Sequence, residues 1–109
     1  MSDWTLVEGL AENSGTAGDR PDITVLARGT GANVVRISFL AGQSMPDHRT
    51  GRPIVVMGQQ GEIDFTVGDE TSRITPGVAV HVEPDVGHAL VARTDAVVTL
   101  LVLEKPAAR

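Results

Sequence analysis

Gly42-Gln43-Ser44-Met45-Pro46-Asp47-His48-Arg49-Thr50-Gly51-Arg52-Pro53-Ile54 gathers more chemistry than any other stretch of this chain. One histidine, two arginines and two prolines lead directly into the apolar run Val55-Val56-Met57. Side chains alternate across an extended strand, so His48 and Thr50 share a face wherever this segment is extended. If the loop at residues 51–53 keeps that register, Ile54 and Val56 join the same face.

Outward from this stretch, short runs rich in Val, Ile and Thr recur, each closed by Gly, Pro, Asp or Asn. They predict strands at residues 23–27, 34–40, 54–57, 62–67, 71–74, 78–82, 88–92 and 97–103. Gly68-Asp69, between two of these runs, is a hairpin signal. Beyond residue 20 no segment holds a helical period of about 3.6 residues, because Gly or Pro interrupts every candidate. So many short strands in a small chain predict an all-β sandwich or small barrel. An immunoglobulin-like sandwich competes on pattern alone, weakened by the absence of its Cys…Trp…Cys arrangement. Residues 4–10 read as a short strand or one or two helical turns, and residues 13–18 as a flexible loop. The expected organisation is an N-terminal arm, residues 1–20, and one barrel domain, residues 21–109.

Composition narrows the function classes. The chain has 109 residues, enough for one domain with one modest core. No cysteine is present, which removes disulfides and thiolate metal sites. A net charge of −5, with Lys105 the only lysine, argues against nucleic-acid binding, which needs clustered cations. No run approaches the roughly 18 apolar residues of a membrane span, and no secretory pattern is seen, so a cytoplasmic location is expected.

The stretch at Gly42 and a second one, Pro76-Gly77-Val78-Ala79-Val80-His81-Val82-Glu83-Pro84-Asp85-Val86-Gly87-His88, together resemble the two motifs of the cupin superfamily. Gly42, His48 and Gly61 match the first motif with its spacing intact, and Gly77 and His88 match the second. The resemblance covers about residues 34–103 and implies a double-stranded β-helix, a small jelly-roll barrel. The usual site in that family is three histidines and one carboxylate inside the barrel. Here Thr50 stands at the second histidine position and Ile54 at the glutamate. Glu83 and Asp85 replace a proline and a glycine, and Ala92 replaces the final asparagine. The pattern is similar to very small bacterial cupins that keep one histidine per motif.

His48 and His88 are the metal ligands the resemblance implies, with Zn, Fe, Mn or Ni as the divalent transition metal. A non-haem Fe(II) oxygenase needs a carboxylate beside its two histidines, and the carboxylate position is isoleucine. His81 follows the rhythm of Val78-Ala79-Val80-His81-Val82 and is expected to point outward or into a subunit contact, away from the valines, the alternative being that it joins the lumen and completes a three-histidine set. Asp85, Glu83, Arg49 and Arg52 are expected as solvated loop residues, and Met45 and Met57 as core or mouth-lining side chains. Metal-free acid–base chemistry at the histidines is a third route, thinned by the absence of any tyrosine to supply a phenolic proton.

Three functions follow from different classes, the third being an accessory or purely structural domain that works through its dimer surface. The first is a small-molecule-binding barrel without assigned activity. The alternative is a metal-dependent enzyme, an isomerase, decarboxylase or oxygenase, that uses His48 and His88. The partners expected are a small-molecule ligand and a second copy in a homodimer. The apolar final run, residues 97–103, and the N-terminal segment would supply or bury the exposed sheet edge.

Overall fold

The computed structural model describes residues 3–105. The extreme ends of the expected arm and barrel, residues 1–2 and 106–109, therefore lie outside it. Among the described residues nine strands follow in order: β1 (Asp22–Arg28), β2 (Ala32–Phe39), β3 (Ser44–His48), β4 (Ile54–Gln60), β5 (Ile63–Val67), β6 (Glu70–Ile74), β7 (Ala79–Val82), β8 (His88–Ala92) and β9 (Ala96–Leu103). They form two sheets, β1-β2-β9-β4-β7 and β3-β8-β5-β6, with every paired neighbour antiparallel. Consecutive strands alternate between the sheets over β2–β5, as a jelly-roll requires. No helix among the described residues is long and apolar enough to cross a membrane.

Eight of these strands fall where Val, Ile and Thr cluster. The ninth, β3, has no such cluster. Pro46 lies within it, tolerable because β3 is an edge strand that can lack a donor on its open side. Its pairing with β8 is irregular between Met45 and His48. Residues 4–10 adopt neither strand nor helix, contrary to both sequence readings. Trp4 and Leu6 are the most exposed large apolar side chains among the described residues, so no amphipathic face exists there to drive regular structure.

The core lies between the sheets and follows from period-two alternation. Val35, Ile37 and Phe39 face inward from β2, Ile54 and Val56 from β4, Ile63 and Phe65 from β5, and Leu90 from β8. Burying each such side chain stabilises the fold by roughly 1.5–3 kcal/mol. The apolar run at residues 97–103 is not an edge. It belongs to β9, which sits between β2 and β4 at the centre of its sheet, and on its outer face Val97 and Thr99 are buried as well. Open edges belong instead to β1, β7, β3 and β6.

The arm docks against the outer face of the five-stranded sheet. Arg36 projects outward from β2 and is only 8% exposed beneath the arm. Its Nη1 donates to the Gly9 carbonyl at 2.8 Å and its Nη2 to Ser14 Oγ at 3.1 Å. Ser14 Oγ in turn donates to Asp22 Oδ2 at 2.6 Å, where Thr24 Oγ1 also donates at 2.8 Å. These hydroxyls, Ser14 first, hold the Asp22 carboxyl below its ordinary value of 3.8. Gln43 pins the next turn through the Thr16 and Gly18 carbonyls.

Candidate ligand site in the barrel lumen

His48 ends β3 and His88 begins β8, and strand pairing sets the two residues directly opposite one another. Their ring centroids lie 5.7 Å apart, edge to face. His88 is 5% exposed, whereas His48 is exposed at the rim. Two contacts fix the deeper ring. Phe65 of β5 stacks on it, with centroids 5.6 Å apart and planes 14° from parallel. The Val86 carbonyl lies 3.0 Å from His88 Nδ1 and, being an acceptor only, takes the proton of that nitrogen.

Below the rings lies a cavity of about 140 Å³. His48, Thr50, Ile54 and Val56 all border it, as the alternation from His48 predicts, so the loop at residues 51–53 does preserve the register. His88 and Met45 border it too. Ile37, Leu90, Leu100 and Val102 complete a wall that is almost wholly aliphatic. Sequence reasoning did not single these four out, because they look like any other inward strand residue. A groove of about 280 Å³ between β1 and β3 adjoins the cavity across Met45 and His48.

The other candidates stand apart. His81 is exposed on β7, with Val80 and Val82 turned inward, so it does not join His48 and His88. Glu83, Asp85, Arg49 and Arg52 are exposed loop residues and do not line the cavity. Met57 is neither core nor mouth residue. It is half-buried, one residue out of phase with inward Val56. Asp85 has a structural part instead. Its φ is 66°, the only positive value at a non-glycine position among the described residues, and its N–H donates to the Thr50 carbonyl at 2.8 Å. The left-handed backbone for which the motif carries glycine is thus retained with an aspartate in place, and it anchors Thr50 to the loop before His88.

A family profile described as "Cupin domain" matches residues 35–104. The chain belongs to the cupin family. No curated protein matches it significantly. Solved structures similar to this cupin include a cupin superfamily protein from Desulfitobacterium hafniense, at 18% identity over 81% of each chain and a TM-score of 0.73. A conserved protein of unknown function from Streptococcus pyogenes is 20% identical over 98% of this chain and 100% of its own, with a TM-score of 0.72. An RmlC-like cupin from Desulfovibrio desulfuricans is 21% identical over 94% and 96%, with the same TM-score. At these identities the likeness shows the shared jelly-roll fold.

Cupins often bind metals, and the residues here can be tested against that. A tight divalent site takes three or four protein donors. Among the described residues no group of three or more His, Asp or Glu side chains is placed to hold one ion. Thr50 and Ile54 border the lumen where the family carries its second histidine and its glutamate. The donor set does not fit the family's four-ligand centre.

Proposed function

We propose that this cupin binds a compact, largely apolar small molecule in its lumen, with the polar end of the ligand at His48, Thr50 and His88. The observation that carries this reading is the cavity itself: an aliphatic wall that also carries two imidazoles and a hydroxyl. Ligand sites in small barrels have this composition, apolar walls with a few placed polar groups. Size supports the reading too. An engineered apolar cavity of about 150 Å³ takes up benzene, so about 140 Å³ suits a body of roughly six heavy atoms.

The test is a thermal-shift screen of compact alcohols, phenols, acids and azoles. A ligand at ten times its Kd stabilises the fold by about 1.4 kcal/mol, or roughly 6 °C for a chain of this size. Leu100→Phe fills the cavity and should abolish the response. A response that survives Leu100→Phe, or none from any compound, counts against the proposal.

A metal-dependent enzyme using His48 and His88 is the second reading. One observation favours it: metal-bound histidines anchor the ring N–H on a carbonyl, as His88 does on Val86. Elemental analysis after loading with Zn, Fe, Mn and Ni separates the two readings. One metal per chain, lost in His48→Ala and His88→Ala, would favour the enzyme. Assembly as a homodimer belongs to the main proposal, supported by edge strand β1, which leaves Ile23 55% and Val25 42% exposed. A monomeric mass by light scattering would remove that part.

A further inference from the structure

The geometry points to a ligand that donates a hydrogen bond at the histidine end of the lumen: a compact alcohol, phenol or N–H heterocycle. This inference rests on the lumen being a ligand site and adds the sign of its recognition.

The sign comes from His88. The Val86 carbonyl accepts from Nδ1, so that nitrogen carries the proton. In a neutral imidazole the other nitrogen, Nε2, then presents only a lone pair. Among the described residues no side chain or backbone group donates to Nε2, since the Val86 contact is the ring's single hydrogen bond. Nor is Nε2 sealed into the core. The one buried side-chain nitrogen or oxygen without a partner among the described residues is Arg36 Nε, on the far face of the other sheet. Nε2 therefore borders open space, and the space against this 5% exposed ring is the lumen.

The ring cannot easily be re-aimed. Phe65 holds one face and His48 meets it at 85°, and turning it over would break the bond to Val86. His48 and Thr50 impose no sign of their own. A hydroxyl both donates and accepts, and the exposed His48 ring is free to take either tautomer. Only His88 discriminates, and it does so for donors. An acceptor placed against Nε2 leaves two lone pairs facing each other away from water.

Three near-isosteric rings test this. Pyrrole offers an N–H, furan only an oxygen lone pair, and thiophene neither to any useful degree. Titration of nitrogen-15-labelled protein is followed by NMR above about pH 8, beyond the range in which imidazoles ordinarily titrate. The expected result is that pyrrole binds about tenfold more tightly than furan, the scale of one satisfied against one unsatisfied buried hydrogen bond. Furan binding as well as pyrrole, with both saturable, overturns the donor requirement and leaves the lumen as a ligand site. No saturable binding by any of the three overturns the lumen reading and the inference with it. A long-range proton–nitrogen correlation spectrum of the ligand-free protein reads the tautomer independently. A proton found on Nε2 of His88 overturns the inference without any ligand.

Discussion

Restoring the two missing ligands should restore a metal site. In Thr50→His/Ile54→Glu, both new side chains start from backbone positions that border the lumen with His48 and His88. The variant is costly without metal. Ile54 is 3% exposed within the core, so its replacement forfeits about 1.5–3 kcal/mol of apolar burial. Placing a carboxyl there adds about 1–3 kcal/mol for a polar group without a full set of partners. The sum, about 2.5–6 kcal/mol, is a large fraction of the roughly 5–15 kcal/mol that holds a domain together. The apo variant is therefore expected to melt far below the parent. Metal reverses part of this, because binding at one hundred times Kd stabilises by about 2.7 kcal/mol. The assay is thermal unfolding with and without excess Zn(II) or Ni(II), read beside metal content per chain. The expected outcome is one bound metal and a large upward shift in the variant, against little shift in the parent. A folded double variant that binds no metal would show that the four positions do not converge, and would refute the geometry argued for the lumen.

Further outcomes follow at Asp85, Gly61 and Asp22. Asp85→Gly should be neutral or stabilising by up to about 1 kcal/mol, since relief of the left-handed strain is partly offset by glycine's extra chain freedom. Asp85→Val, β-branched at φ 66°, should cost more than about 1 kcal/mol in chemical denaturation. Gly61→Ala should destabilise by about 2 kcal/mol or more, because φ is 71° there and a Cβ would overlap the Asp95 carbonyl oxygen. Asp22 gives the pH dependence. Its carboxyl is depressed in the folded protein, so its contribution is complete above the ordinary value of 3.8 and disappears as pH falls through the lower folded value. Acid should therefore loosen the docked arm, read as faster proteolysis within residues 9–18, and Ser14→Ala should remove much of that dependence.

Most of the fold was legible because strand formation here is a matter of local composition. Val- and Thr-rich runs punctuated by Gly and Pro marked eight strands within a few residues of their true ends. β3 escaped because Met45-Pro46-Asp47-His48 has no β-branched residue, and only its place beside β8 makes it a strand. The apolar run at residues 97–103 was misplaced for a similar reason. A two-sided apolar strand suits an interior position or a covered edge equally, and the order of strands is not written in any one of them. At the site, alternation from His48 put Thr50, Ile54 and Val56 on one wall. The neighbours that give His88 its chemistry are less visible. Phe65 reaches the ring across two paired strands, and the Val86 carbonyl is backbone, which side-chain identity does not report. Asp85 could have been found earlier, since it stands where the motif carries a glycine.

The most direct measurement of the central claim is a titration of methyl-labelled protein with benzene, followed by NMR. Saturable shifts confined to methyls that line the lumen, such as those of Ile37, Ile54 and Leu100, with exposed Val91 unmoved, are the predicted result. Lumen methyls that stay still while benzene is in large excess would contradict the account, and the cavity would then be a packing void with no ligand to hold.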